Sequence, residues 1–223
     1  MLVCCWSSKG GSGTTVVTAA LGVMLSRSCP AGALIVDLAG DVPAVLGLAD
    51  EPTGAGVSDW LDGGDLVPAD GLARVEIPVC PGLALLPRGT GVSPSSRTSA
   101  LAALLASEPR SVLVDGGCIG VDAPVGRTEL VAAIAANADH SLLVVRPCFL
   151  ALRRAVRSPV RPTGVVLVTE EGRALTTTDV EEVLGAPVQA AVSVTSQVAR
   201  AVDAGLLARR LPRTLERELR HAA

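Results

Sequence analysis

Residues 2–15 read LVCCWSSKGGSGTT, a short apolar run that leads into a glycine-rich turn. Apolar and small residues follow, and we expect a helix over 14–27. A strand, a glycine-rich loop and a helix in this order form the setting in which backbone N–H groups close around phosphate oxygens. The stretch therefore predicts a phosphate-binding loop between the first strand and the first helix.

The loop holds the single lysine of the chain, Lys9, whereas eighteen arginines carry the other basic charges. A lysine retained at this place suggests a role that needs a slim point charge beside a phosphate. The ordinary nucleotide-binding loop, G-x-x-x-x-G-K-[ST], also places a lysine directly before its hydroxyl residue. Thr14 occupies that place here, so one lysine is present and the other is lost.

Short apolar runs alternate with longer helical segments along the rest of the chain, which is typical of a parallel sheet covered by helices. We predict an α/β fold in one domain over 1–223, with a mostly parallel, twisted sheet of about seven or eight strands and helices on both faces. The predicted strands cover residues 2–6, 33–36, 74–79, 83–86, 111–114, 141–145, 164–168 and 188–192. The predicted helices cover residues 14–27, 96–107, 125–137, 150–157, 177–184, 196–204 and 214–221.

The composition excludes several classes of protein. Hydrophobic residues make up 49% of the chain and aromatic residues only 1%, so Ala, Val and Leu must build the core. The scarcity of aromatic rings argues against a stacking platform for single-stranded nucleic acid. The six cysteines form no C-x-x-C pair, and neither a signal peptide nor an apolar run of the ~20 residues needed for a membrane span is seen. These features predict a cytoplasmic protein.

Several motifs, in order along the chain, carry a resemblance to a known family. Residues 9–15, KGGSGTT, resemble the deviant phosphate loop K-G-G-x-G-K-[ST] of the ParA/MinD family of P-loop ATPases. Residues 34–39, LIVDLA, are similar to its second-strand D-x-D motif, and residues 111–115, SVLVD, to its Walker B strand. Further matches are ADHSLLVVRP at 138–147, VLGAPV at 183–188 and VARAVDAG at 198–205. Residues 40–48, GDVPAVLGL, look most like the CpaE/TadZ branch, whose members localise pilus-assembly machinery.

The resemblance implies a set of site residues and the cofactors ATP and Mg²⁺. Thr15 would supply the hydroxyl that ligates the metal, and Asp115 would hold the water shell of the metal. Lys9 would be the signature lysine that reaches across a dimer to the nucleotide of the partner. The implied nucleotide-binding residues are Lys9, Gly10, Gly11, Ser12, Gly13, Thr14, Thr15 and Asp37.

The sequence departs from the family pattern at positions that matter for chemistry. Thr14 replaces the loop lysine, and Ala39 stands where the second D-x-D aspartate positions the attacking water. Asp41 could substitute only if the loop were re-registered. Thr169 replaces an asparagine that helps to hold the adenine, and Gly116-Gly117 follow the Walker B aspartate. Losing the lysine and the carboxylate would each cost on the order of 2–4 kcal/mol of transition-state stabilisation. Together these losses should reduce ATP hydrolysis to a background level, and we expect nucleotide to bind weakly or not at all.

These observations predict a degenerate ParA/MinD-like protein that acts as a dimeric positioning scaffold with weak or no ATP hydrolysis. Its expected partner is a pilus (Tad/Flp-type), secretion or division apparatus. The alternative is an active ParA/MinD-type ATPase switch that binds DNA or membrane as a nucleotide-dependent dimer. DNA binding without nucleotide is a third hypothesis.

Charge and apolar patterns indicate where partners could bind. Eight acidic and no basic residues lie between positions 28 and 73, and we expect the recognition surface around 50–70. Lys9 and Trp60 are the predicted residues of the dimer interface. Trp60 would act there if exposed, and the alternative is a helix residue that caps the core. The segment 212–222 is a candidate interaction element, packed on the body or on a second subunit through leucines four residues apart, and membrane binding is not expected. Non-specific DNA would use Arg200, Arg209, Arg210 and Arg213.

Overall fold

The computed structural model describes residues 1–48, 54–64, 68–91 and 97–222. These residues form an eight-stranded sheet in the order β3-β4-β2-β5-β1-β6-β7-β8. The strands are β1 Leu2–Ser7, β2 Ala33–Asp37, β3 Ile77–Cys80, β4 Leu83–Leu86, β5 Ser111–Cys118, β6 His140–Val145, β7 Gly164–Thr169 and β8 Val188–Ser193. All neighbouring pairs are parallel except β3 and β4. The predicted α/β sheet is therefore confirmed.

Helices cover both faces of this sheet, as the sequence predicts. One buried apolar cluster joins the sheet to α3, α4, α5, α6 and α7, and a second joins it to α1, α2, α8 and α9. The helices are α1 Thr14–Ser28, α2 Val42–Leu46, α3 Val57–Asp62, α4 Thr98–Ser107, α5 Arg127–Ala135, α6 Phe149–Val156, α7 Thr177–Leu184, α8 Ser196–Asp203 and α9 Arg213–Glu218. Because both faces are covered, the central strands are apolar throughout instead of alternating.

The third predicted strand, over 74–79, is displaced in the structure. Residues 73–75 form a 3₁₀ turn, and the strand begins at Ile77 and ends at Cys80. Only Pro81 and Gly82 separate it from β4, a connection too short for a crossover, so the two strands pair antiparallel. Pro78 cannot donate a ladder hydrogen bond, and it is tolerated because β3 lies at the edge of the sheet.

Several helix boundaries also differ from the predicted ones. The short helices α2 and α3 were not among the predicted segments. The helix predicted over 125–137 begins only at Arg127, because Gly126 adopts a φ of 81° that ends the preceding loop. The helix predicted over 214–221 ends as α9 at Glu218. The predicted start of α4, at residue 96, lies outside the described residues.

The C-terminal leucines pack on the body of the protein, one of the two packing modes expected. Leu211, Leu215 and Leu219 are 8%, 0% and 1% exposed, in the cluster that contains α1. Glu218 fixes this segment to the end of β8, because its carboxylate accepts hydrogen bonds from the N–H and the hydroxyl of Ser193, both at 3.1 Å. None of the helices described here has both the length and the apolar character required to cross a membrane.

Candidate functional site

The glycine-rich loop lies between the end of β1 at Ser7 and the start of α1 at Thr14. Gly11 and Gly13 have φ angles of 74° and 93°, in the left-handed region that favours glycine. Two serine hydroxyls hold the loop in shape. Ser12 Oγ donates to the carbonyl of Lys9 at 2.7 Å, and Ser8 Oγ donates to the carbonyl of Ala151 in α6, also at 2.7 Å.

Backbone N–H groups at the start of α1 form a cradle for an anion. The first N–H of this turn with an acceptor is that of Val17, which donates to Gly13 O at 3.0 Å. Within the described residues, the N–H groups of 13–16 donate no hydrogen bond. A Cβ built on Gly10 or Gly11 would meet nothing within 4 Å, so the loop is open on its outer side. Free N–H groups at a helix N-terminus are a ready site for a phosphate.

The two threonines of the loop differ in what they offer to a ligand. Thr14, at the position of the loop lysine, is 6% exposed and opens α1. It brings no positive charge to the cradle. Thr15 is half-buried and lies close to Asp115; burial raises the pKa of that carboxyl, and the Thr15 hydroxyl opposes the rise.

Asp115 and Asp37 are neighbours on adjacent strands, since they pair directly in the register of β2 and β5. Both are fully buried. Burial, and next the charge of Asp37, raise the pKa of Asp115 to about 7. One oxygen of Asp115 accepts the N–H of Gly117 at 3.1 Å, whereas Oδ2 is buried without a hydrogen-bond partner. An orphaned carboxylate oxygen beside a threonine hydroxyl suits a hydrated Mg²⁺.

Asp37 is used by the backbone that follows β2. Its carboxylate accepts the N–H groups of Ala39 at 2.9 Å, Gly40 at 2.6 Å and Val42 at 3.2 Å. Burial nevertheless raises the pKa of Asp37 above its usual value, and these three hydrogen bonds oppose that shift. Asp37 thus fixes the turn into α2, in which Asp41 is exposed.

Two arginines that the sequence analysis did not consider lie at the same edge. A Cβ built on Gly117 would be 3.0 Å from Ala39 Cβ and 3.4 Å from Arg127 Nη1. A Cβ on Gly40 would be 3.5 Å from Arg88 Nη1. Arg88 follows β4 and Arg127 opens α5 after β5, so the rule that ligands bind beyond the carboxyl ends of parallel strands could have identified both.

The structure places the two predicted interface residues differently. Lys9 is half-exposed on the loop, and its ammonium has no hydrogen bond or ion pair in the described part of the chain. Trp60 lies in α3 and is only 4% exposed, as expected for a helix residue that caps the core and not for an exposed interface anchor. Its indole N–H donates to Pro68 O at 3.0 Å, and the Arg97 guanidinium stacks over the ring at 3.5 Å. The bulky ring fills the space between α3 and the sheet instead.

The remaining predicted residues are distributed over other surfaces. Thr169, at the end of β7, donates its hydroxyl hydrogen bond to Val192 O at 3.3 Å. Arg200, Arg209, Arg210 and Arg213 are exposed. Part of the acidic stretch predicted for recognition, residues 50–53 and 65–67, lies outside the described residues.

Solved structures with the same architecture include one determined with Mg-ADP. MinD from Pyrococcus horikoshii, solved with Mg-ADP, has a TM-score of 0.76 and 19% identity over 100% of this chain and 95% of that chain. The ParA family ATPase from Chlorobium tepidum has a TM-score of 0.72 and 19% identity, covering 99% of this chain and 98% of that chain. The MinC:MinD cell division complex from Aquifex aeolicus has a TM-score of 0.71 and 22% identity, covering 92% and 85%.

Neither a protein-family model nor a curated protein matches this chain. The likeness is therefore one of architecture. The chain has the fold of the MinD and ParA ATPases.

Proposed function

We propose that this protein is a degenerate ParA/MinD-like positioning factor that works as a dimeric scaffold with weak or no ATP hydrolysis. One observation carries the proposal: the backbone cradle for phosphate is complete, while the residues for charge and water are Thr14 and Ala39. The solved neighbours are MinD and ParA ATPases, and one contains Mg-ADP. A phosphate site that keeps its backbone N–H groups but lacks the loop lysine can still bind phosphate, whereas ATP hydrolysis should be slow.

The residues present fit a weakly bound nucleotide with Mg²⁺. The free N–H groups of 13–16 would contact phosphate oxygens, Thr15 would ligate the metal, and Asp115 would accept from its water shell. Gly10, Gly11 and Ser12 would shape the loop around the phosphates. When bound, the metal would neutralise phosphate charge that Thr14 leaves uncompensated.

Among the described residues, no carboxylate stands at the position from which the second D-x-D aspartate would orient an attacking water. Ala39 has only a methyl group there, and Asp37 already accepts three backbone N–H groups. Asp41 is exposed just before α2, and after burial its charge also helps to raise the pKa of Asp37 and of Asp115. Catalysis of phosphoryl transfer depends on positioned groups of this kind, so their loss supports background turnover only.

An apolar rim beside the loop supports self-association. Val121 and Val125, after β5, are 89% and 85% exposed, and Phe149 and Leu150, at the start of α6, are 74% and 45% exposed. The hydrogen bond from Ser8 to Ala151 ties α6 to the loop that carries Lys9. An apolar rim next to a lysine without a partner suits a second copy of the same face, with Lys9 reaching the phosphates held opposite.

The partner of the scaffold would be a protein of a pilus, secretion or division apparatus in the cytoplasm. MinC:MinD is a fold neighbour solved together with a second protein, which supports a protein partner. A Tad-type pilus is the finer form of this proposal, and it rests on the resemblance of residues 40–48. In the structure this segment includes α2.

Nucleotide affinity and phosphate release test the proposal. Calorimetry with ATP and Mg²⁺ should give weak or undetectable binding, and phosphate release should stay at the buffer level. The double variant Thr14→Lys with Ala39→Asp should raise both, because it restores the missing cation and carboxylate. Turnover by the unmodified chain that disappears in Lys9→Ala would instead establish the active switch.

DNA binding is the second candidate function, and the exposed arginines favour it. Arg209, Arg210 and Arg213 are exposed within one short segment before and at the start of α9. Contacts of this kind neutralise phosphates and weaken as salt is added. A gel-shift titration with the triple alanine variant, at two salt concentrations, tests it: a shift that is identical in the variant would exclude this surface.

A further inference from the structure

Two arginines lie at the edge of the sheet that carries the phosphate loop. Neither Arg88 nor Arg127 donates a guanidinium hydrogen bond or forms an ion pair within the described part of the chain. Arg127 is half-buried, and the other arginines of comparable burial have partners: Arg110 pairs with Glu76 and Glu108, Arg146 with Glu170, and Arg154 with Asp122. Arg88 is exposed, so among the described residues it is Arg127 that stands out as a half-buried cation without an ion pair.

Arg88 and Arg127 line one cavity of about 250 Å³ between α3, the loop after β4 and the start of α5. Ligand pockets for whole small molecules usually measure roughly 300–1,000 Å³, so this cavity suits a single small group. Burial, and next the charge of Arg88, lower the pKa of Arg127. The two guanidiniums thus repel each other across a partly desolvated space, which an anion would relieve.

Arg127 is not simply the counter-ion of the buried aspartates. It forms no ion pair with Asp115 or Asp37, and Asp115 Oδ2 keeps no hydrogen-bond partner. Its Nη1 lies instead near Ala39 and Gly117. A cation thus points to the place where the resemblance expects a water-positioning carboxylate.

The backbone holds both arginines in place without a ligand. The carbonyl of Arg88 accepts from Ser58 N at 2.9 Å and from Ser58 Oγ at 2.5 Å. The next turn is fixed by Asp59, which accepts from Thr90 N and Thr90 Oγ1, both at 3.0 Å. On the other side, Arg127 N donates to Pro124 O at 3.2 Å. Fixed backbones reduce the ordering that a ligand must impose.

We propose that Arg88 and Arg127 together bind a phosphoryl oxyanion beside the phosphate loop. Guanidinium groups suit this ligand because their planar N–H donors match its oxygens. The anion could be the terminal phosphate of a nucleotide, in which case the inference rests on the proposed nucleotide site and the arginines supply charge that Thr14 lacks. It could equally be free phosphate, and that source requires no nucleotide.

Calorimetry on the full chain distinguishes the two sources. Mg-ATP, Mg-ADP and inorganic phosphate are titrated into the unmodified protein, Arg88→Gln, Arg127→Gln and Arg127→Lys. The matched control is Arg161→Gln, because Arg161 is exposed, bonds only to Val156 O and lies before β7 at the opposite edge. Thermal unfolding and circular dichroism verify that each variant is folded.

For a terminal phosphate, Arg127→Gln should weaken Mg-ATP about 10-fold or more and leave Mg-ADP unchanged, as expected for a charge-assisted hydrogen bond. If the site binds free phosphate, Arg127→Gln should instead weaken the binding of inorganic phosphate about 10-fold or more and leave the binding of both nucleotides unchanged. Arg127→Lys should retain part of the affinity in either case. Arg161→Gln should bind like the unmodified protein.

The proposal is overturned if both glutamine variants bind ATP and phosphate as the unmodified chain does. It is also overturned if the unmodified chain binds neither at millimolar concentration. Either result would still be compatible with the proposed function as a scaffold without ATP hydrolysis. Rapid ATP hydrolysis would end the scaffold proposal, and the arginine variants would still decide the anion site.

Discussion

Asp115 is the carboxyl of the site whose raised pKa should make the stability of the fold depend on pH. Its pKa is raised to about 7 by burial first and by Asp37 second, from an ordinary value of 3.8. Between these two pH values the folded protein holds a proton that the unfolded chain has released. Stability should therefore fall as the pH rises from about 4 to about 7 and then level off.

Asp115→Asn should flatten this pH dependence and stabilise the protein at pH 8 by roughly 2–4 kcal/mol. The amide can still accept the N–H of Gly117, and it carries no charge to bury. Urea unfolding at pH 5 and pH 8, without nucleotide or Mg²⁺, measures the effect. A smaller slope should remain because the pKa of Asp37 is also raised. An unchanged slope in the variant would show that Asp115 is ionised in the folded protein at all these pH values.

At the scale of elements, the contact between α1 and β2 determines how the phosphate loop is supported. Gly22 in α1 faces Ile35 in β2, and both are buried. A Cβ built on Gly22 would lie 2.5 Å from Ile35 Cδ1 and 2.6 Å from Ile35 Cγ1. The helix that opens with the anion cradle therefore rests on the sheet at a point where only glycine fits.

Gly22→Ala should destabilise the fold by about 1–2 kcal/mol, because overpacking outweighs the gain in helix propensity. Ile35→Val removes the nearest methyl group and should recover part of the loss in the double variant. Urea unfolding of the two single variants and the double variant gives the coupling energy. Additive effects would mean that Gly22 and Ile35 do not compete for this space.

The same scale shows what the sequence could predict. The unit of β1, loop and α1 was predictable because its signals are local: an apolar run, glycines with positive φ, and a helix. The antiparallel β3 was not, since its direction follows from the two-residue connection to β4. Arg88 and Arg127 lie 39 positions apart in the numbering, and only the packing of β4, β2 and β5 brings them together. The sequence alone left Trp60 open between the core and an interface, because a pattern cannot show which face of a short helix is covered.

At the scale of the whole molecule, one edge of the sheet collects nearly all the features of interest. The phosphate loop, the aspartate pair, the two unpaired arginines and the apolar rim of Val121, Val125, Phe149 and Leu150 all follow the carboxyl ends of strands. If the protein self-associates as proposed, placing the ligand site and the apolar rim at one edge would make the association sensitive to what the loop binds.

Phe149→Ser combined with Val125→Ser should shift the protein towards monomer at least about 10-fold in dissociation constant, because the two side chains are large, apolar and exposed. Analytical ultracentrifugation over a concentration series measures this. Val183→Ser is the matched control, since Val183 is 49% exposed on α7. Equal dissociation constants for the rim variant and the control would place the contact between copies elsewhere.

One hydroxyl, that of Ser8, joins the loop to α6 through the carbonyl of Ala151. This hydrogen bond couples the position of the cradle to that of the helix that bears Phe149. We expect a ligand that reshapes the loop to displace the apolar rim through this bond, and a Ser8→Ala protein to bind its ligand without a change in self-association.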